Sequence, residues 1–364
     1  MDPIAHTLAG ATLAQTRLGK TTPLATATLV IGANLPDIDA VTTFLGSDTS
    51  LYLRRGVTHG VAAMVILPLL LTAGVMAFDR FIRRRRAPDK EPIRPAAVLG
   101  LSYLGVLSHP FLDWLNTYGV RLLMPFDGRW FYGDTLFIID PWVWLLLGAT
   151  VVFSYSRTKL SKTAWILFAL GASALVTLVP IVPLAAKVLW WIGVAVVVAL
   201  RLRGVDEREN QILAVVCVAA FCVYLAAMMA GNDLARQGVQ DYLDDQDALA
   251  TELMTGPLPA NPFAREVLAV TDTHYHGIRV RLVGEPRFEP IYDPVPIEPP
   301  DEIVSRALVH DGVRGFVNWV RFPTYEVREL DQGYQVIIRD LRYVRPDAEP
   351  GQAIGIATVL IPDE

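Results

Sequence analysis

The stretch VAAMVILPLLLTAGVMAF, Val61 to Phe78, runs eighteen residues without a charge and is followed at once by DRFIRRRR, Asp79 to Arg86. At ~1.5 Å of rise per residue it spans roughly 27 Å, close to the ~30 Å hydrocarbon core of a bilayer. An uncharged helix ended by a block of arginines reads as a membrane span with its basic end in the cytoplasm. Working outward, Ala96 to Leu112, Pro141 to Tyr155, Ala164 to Pro183, Leu184 to Leu200 and Ile212 to Ala230 have the same character. Lys187 sits near one end of Leu184 to Leu200, and Pro180 and Pro183 mark the turn before it. Ile4 to Leu18 and Leu24 to Leu35 are apolar but barely long enough to cross.

Composition agrees with two unlike regions. The 364 residues are 52% hydrophobic with mean hydropathy +0.37. From Gly231 onward there are 23 acids and 12 arginines and no lysine, net −11, which leaves +6 for residues 1–230. The expected fold class is an α-helical polytopic membrane domain, 1–230, followed by a polar helix and linker, 231–262, and a small extracytoplasmic α+β domain, 263–364. Arg279 to Val283, Thr324 to Leu330, Tyr334 to Tyr343 and Ile354 to Ile361 alternate as strands, with Asp331, Gln332 and Gly333 as a hairpin turn. Glu302 to Arg321 reads as helix interrupted by Gly312 and Gly315, and Glu285 to Pro300 as a proline-rich loop. Asn232 to Met254 reads as a polar helix, and the three prolines of Gly256 to Pro262 as a linker.

Lysine and arginine in short loops orient the chain. Arg80 to Arg94, then Arg157, Lys159 and Lys162, then Arg201, Arg203 and Arg208 fall on alternate loops, all cytoplasmic by this count. The N-terminus lacks a basic n-region and a small-residue cleavage pattern, so no cleaved signal peptide is expected. Cys217 and Cys222, five apart in one apolar helix, are poorly placed to form a disulfide. The same count puts His6, Asp37, His59, His109 and Asp113 at the outer membrane face, and the tail with them. The expected location is the inner membrane of a bacterial or archaeal cell.

Those residues carry the chemistry. The membrane domain holds only three histidines, His6, His59 and His109, each at the outer end of an apolar segment. Ionisable groups at that depth are costly and tend to pair, bind an ion or line a path. Asp37 and Asp39 alternate after Pro36, and His109 and Asp113 are spaced i, i+4, on one helical face. Imidazole with carboxylate is the donor set for zinc, manganese or iron. The expected metal ligands are therefore His6, Asp37, Asp39, His59, His109 and Asp113, holding one or more divalent ions, zinc first. Arg54 and Arg55 lie on the outer side, against the usual charge bias, and Arg55 suits an anionic substrate group. In the aromatic loop Trp114 to Asp140, Asp134 and Asp140 are second-tier candidates for metal ligands or for support of a histidine, and either could act as general base. Arg55, Thr58, Asp134 and Asp140 form the candidate catalytic set. His274 and His276 read as surface residues. No nucleophile elbow, phosphate-cradling loop or basic nucleic-acid stripe is present, so no nucleic-acid partner is expected.

His6, Leu35-Pro36-Asp37-Ile38-Asp39, Arg55-Gly56-Val57-Thr58-His59 and Ser108-His109-Pro110-Phe111-Leu112-Asp113 together resemble the YdjM-type family of inner-membrane metal-dependent hydrolases. The loop ending Phe137-Ile138-Ile139-Asp140-Pro141, and Asn261-Pro262-Phe263 and Asp340-Leu341-Arg342-Tyr343 in the tail, resemble a subgroup. That family is similar to the zinc-dependent phospholipase C and single-strand nuclease superfamily, which implies a helical zinc site and hydrolysis of a phosphoester. Arg54 stands where many members have histidine, and Gly60 where many have serine, which implies fewer ligands here. The resulting expectation is a membrane-embedded hydrolase acting with a metal-activated water on a lipid or other amphipathic phosphoester, its partners being membrane lipids. The alternative is a transporter or ion-binding protein with the same cluster as its translocation site. That alternative calls for repeated halves and ligands at the bilayer midplane, and no internal repeat is seen.

Overall fold

A computed structural model describes residues 1–284, 287–351 and 354–363. The first two residues of the proline-rich loop, Glu285 and Pro286, lie outside the described residues. The chain divides into two compact units: residues 1–38, 57–230 and 257–262, and residues 39–56, 231–256 and 263–364.

The first unit is helical. Helix α1 (Pro3–Gln15) starts at Asp2, whose carboxylate accepts the backbone N–H groups of Ile4 and Ala5, and α2 (Ala25–Gly32) follows. A 3-10 segment, Leu35–Leu45, leads out of α2, and α3 (Ser47–Leu53) comes next, in the second unit. Helix α4 (Val61–Arg86) includes a π-helical turn at Asp79–Arg83. It is followed by α5 (Pro95–Trp114), α6 (Pro141–Tyr155), α7 (Lys159–Leu178), α8 (Leu184–Arg203) and α9 (Glu207–Asp244). Among the described residues, α4, α5, α7, α8 and α9 are long and apolar enough to cross a membrane, while α6 is shorter. The six long segments expected from hydropathy correspond to α4 to α9.

The last of these differs in extent from the sequence reading. α9 continues without a break through the position where a separate polar helix is expected, because neither Gly231 nor the polar residues after it stops a helix already formed.

Two close contacts build the N-terminal half. At the crossing of α2 and α5, a Cβ on Gly32 would lie 3.1 Å from the Gly105 Cα, and one on Gly105 would lie 3.0 Å from the Leu29 carbonyl oxygen. Glycine at both positions lets the two backbones approach, as small residues do between membrane helices. Between α4 and α5, Thr72 donates to the Pro68 carbonyl at 2.7 Å and lies 3.1 Å from the Ser102 hydroxyl. Ala5, Leu8, Leu112, Leu136, Val143 and Leu147 form a buried core that ties α1, α5 and α6 to the loop before α6.

Beyond α9, strands β1 (Glu252–Leu258), β2 (Asn261–Val270), β3 (His274–Arg281) and β4 (Arg287–Pro290) form a sheet in that order, with β5 (Val295–Pro296) also on β3. The expected linker, Gly256 to Pro262, is thus strand and turn. Its prolines are tolerated because β1 is an edge strand and Pro262 precedes the β2–β3 ladder, which begins at Ala264 opposite Arg281. Two short helices, α10 (Glu302–Leu308) and α11 (Arg314–Trp319), replace the single interrupted helix, with a 3-10 turn at Asp311–Val313 between them. A second antiparallel sheet holds β6 (Pro323–Leu330), β7 (Gly333–Asp340) and β8 (Ile356–Ile361). Leu330 pairs with Gly333, so Asp331 and Gln332 form a two-residue turn, and Gly333 takes φ 114°.

Candidate metal centre

Two helix ends and one turn converge in the first unit. Asp37 lies in the 3-10 turn after α2, His59 two residues before α4, and His109 and Asp113 on one face near the end of α5. His59 Nε2 and His109 Nε2 are 3.1 Å apart. Asp113 Oδ2 lies 3.3 Å from His59 Nε2 and 3.5 Å from His109 Nε2. Asp37 Oδ1 is 3.9 Å from His59 Nε2 and 3.7 Å from His109 Nε2. Among the described residues, these four make a group whose donor atoms all lie within 4.8 Å of one another.

Hydrogen bonding fixes which atoms face inward. His109 Nδ1 lies 2.7 Å from the Ala33 carbonyl, which can only accept. The Nδ1 proton is therefore committed there, and neutral His109 presents the Nε2 lone pair to the cluster. His59 Nδ1 lies 3.0 Å from the Thr58 hydroxyl, which can accept its proton and so leave Nε2 free for the cluster. With both protons on Nδ1, the two Nε2 lone pairs 3.1 Å apart repel unless a cation sits between them. Two nitrogens bound tetrahedrally at ~2.05 Å would be about 3.3 Å apart, so the cluster's edges fit a small divalent ion.

The electrostatic setting agrees. The side chains of His59, His109 and Asp113 are at most 2% exposed, while Asp37 retains 18% and is the ligand at the open edge.

The other expected ligands behave differently. His6 reaches the cluster's rim: its ring stacks on His109 with centroids 3.8 Å apart, and its Nε2 lies 3.2 Å from Asp113 Oδ1. It orients Asp113 and stands outside the four-membered group; its buried Nδ1 has no hydrogen-bond partner among the described residues. The Met1 amino group also lies against Asp113 Oδ1. Asp39 belongs to the second unit, where its carboxylate accepts the Arg55 backbone N–H at 2.9 Å and faces Arg54 Nε at 3.7 Å. It acts there as a loop clasp, and Arg55, with φ 51°, holds the turn it closes.

Of the remaining catalytic candidates, Thr58 holds His59. Asp134 is buried with a left-handed backbone, φ 49°. Asp140 caps α6: it accepts the N–H groups of Trp142 (2.9 Å) and Val143 (3.4 Å), and Tyr224 donates to it at 2.9 Å. The aromatic loop packs on itself, with the Arg121 guanidinium over Trp130 and Tyr118 edge-on to the same ring. Gly60 has a steric reason: a Cβ there would lie 2.2 Å from the Met124 carbonyl oxygen. The features that sequence reasoning missed are the Ala33 carbonyl and the Thr58 hydroxyl as histidine partners. The threonine is visible beside its histidine, but a backbone acceptor leaves no mark in residue types.

The pattern of the family described as YdjM inner membrane protein matches residues 1–186, just over half of the chain and all four members of the cluster. The chain belongs to the YdjM inner membrane protein family. It is also similar to "Uncharacterized protein YfhP" of Bacillus subtilis (strain 168), 20% identical over 313 residues, which cover 86% of this chain and 75% of that protein. No solved structure matches. With its apolar helices, the chain is a multi-pass membrane protein of the YdjM family with a His/Asp cluster able to hold a metal ion.

Proposed function

We propose that this YdjM-family chain is a membrane-embedded metal-dependent hydrolase that cleaves a phosphoester of a lipid or other amphipathic substrate. The observation that carries the proposal is the pair of inward-facing imidazole Nε2 atoms 3.1 Å apart, closed by Asp113 and Asp37. Asp37, His59, His109 and Asp113 hold the ion, most simply zinc, and His6 orients Asp113. When bound, such an ion supplies hydroxide near neutral pH and polarises a phosphoryl oxygen. The chain's own part is to fix the His109 tautomer, hold the His59 ring, keep the ligands dry and leave the Asp37 edge open.

Apolar side chains beside the ligands favour an amphipathic substrate. Ile38, Val57 and Phe111, next to or between Asp37, His59, His109 and Asp113 in sequence, are 59%, 52% and 48% exposed. Asp134, in the same unit as the cluster, is a candidate base. The alternation of basic connectors supports an extracytoplasmic site and C-terminal unit.

The test is hydrolysis of fluorescent phospholipids and soluble phosphodiesters by metal-loaded protein. Chelator-sensitive cleavage, lost in Asp113→Ala, is expected. A protein with stoichiometric metal that cleaves none of these substrates would overturn the hydrolase reading and favour ion binding or transport.

A further inference from the structure

Away from the metal centre, a cleft of about 400 Å³ opens between α6, α7 and α8. It exists because Ala149, Ala169 and Ala172 place small side chains where these helices face one another, between walls that include Trp165 and Trp190. Its lining runs along α6 from Trp144 to Ser156. Twelve residues of helix rise about 18 Å, slightly more than one leaflet of a ~30 Å hydrocarbon core.

The lining is apolar except at one end, where Ser156, Lys162 and Arg201 gather. Arg201 Nε donates to the Ser156 hydroxyl at 2.7 Å, and its Nη2 donates to the Ser156 carbonyl at 2.8 Å. Both partners are neutral, so the guanidinium is held in place with its charge intact. Among the described residues, neither Lys162 nor Arg201 is paired with a carboxylate, although Arg203, two residues on, is paired with Glu209 at 3.0 Å. Two uncompensated cations at the mouth of an apolar channel one leaflet deep call for an amphiphile with an anionic head. A guanidinium fork suits a phosphate diester, and a second cation beside it disfavours a headgroup carrying its own ammonium.

We propose that this cleft binds one anionic glycerophospholipid of the bilayer, with its phosphate on Lys162 and Arg201 and one acyl chain along α6. The site shares no residue with the metal cluster and stands independently of the hydrolase reading. Native mass spectrometry of the full chain, delipidated in detergent and titrated with phosphatidylglycerol or phosphatidylcholine of the same acyl chains, tests it. About tenfold tighter binding of phosphatidylglycerol is expected, with the preference lost in Lys162→Glu and both lipids weakened about tenfold in Ala169→Phe, which fills the channel. Metal content should be unchanged in both variants. Should Ala169→Phe fail to fold, Lys162→Gln, which alters one exposed side chain, decides alone by losing the preference. Equal affinity for the two lipids in the wild type, or a preference that survives in Lys162→Glu and Lys162→Gln, overturns the proposal.

Discussion

His109 is held at both nitrogens: Nδ1 by the Ala33 carbonyl at 2.7 Å, Nε2 by the cluster it faces. His59 depends on Thr58 for the same service at 3.0 Å. Thr58→Val keeps the shape and removes the hydroxyl, so the His59 ring loses the partner that holds its angle. Metal affinity should fall by about 10- to 100-fold, measured by competition with a chromogenic chelator, while the fold is retained. The histidines were legible because only three occur in the membrane half and each ends an apolar run. Asp39 was read as a ligand because it alternates with Asp37, as in an extended strand. The backbone instead turns through a 3-10 segment at Leu35–Leu45, and Asp39 becomes the acceptor for the Arg55 N–H.

Helix crossings place these side chains, and two of them give tests. The Gly32–Gly105 contact brings the end of α2 against α5, one turn before His109, which is how the Ala33 carbonyl reaches Nδ1. Gly105→Val must push α2 away, because even a Cβ would lie 3.0 Å from the Leu29 carbonyl. The expected result is loss of bound metal with the C-terminal unit still folded, read by metal analysis beside thermal unfolding. At the start of α6, burial pushes the Asp140 carboxyl from 3.8 up to about 6, against the hydrogen bonds from Tyr224 and the backbone N–H groups of Trp142 and Val143. The folded chain therefore holds this proton more tightly than the unfolded chain. The stability it contributes is complete below about pH 4 and lost as pH rises through about 6, so Tm should decline over that window, and Asp140→Asn should flatten the decline. Hydropathy made the long helices legible, and alternation did the same for β6 to β8. The prolines around Gly256 to Pro262 misread as a linker because edge position in a sheet, which spares a proline its missing donor, is a property of neighbours far along the chain.

At the scale of the whole molecule, the division at residue 230 was only partly visible. Residues 39–56 join the second unit, where the Asp48 carboxylate accepts the N–H groups of Gly315 (2.9 Å) and Phe316 (3.0 Å) at the start of α11. A Cβ on Gly315 would lie 2.0 Å from the Asp48 carbonyl oxygen, so only glycine allows that approach. A pairing across more than 260 residues has no periodicity to announce it. Under the proposed orientation, a reporter enzyme that matures only outside the cytoplasm should be active when fused after Asp363 and silent when fused within Arg80 to Arg86.

Asp37, His59, His109 and Asp113 are placed to hold a metal ion. Elemental analysis of protein purified without added metal or chelator tests this most directly, run beside the folded double variant His59→Ala/Asp113→Ala. At least one equivalent of a divalent transition metal in the wild type and essentially none in the variant is the predicted result; wild-type protein with no stoichiometric metal, or a variant that keeps it, contradicts the account.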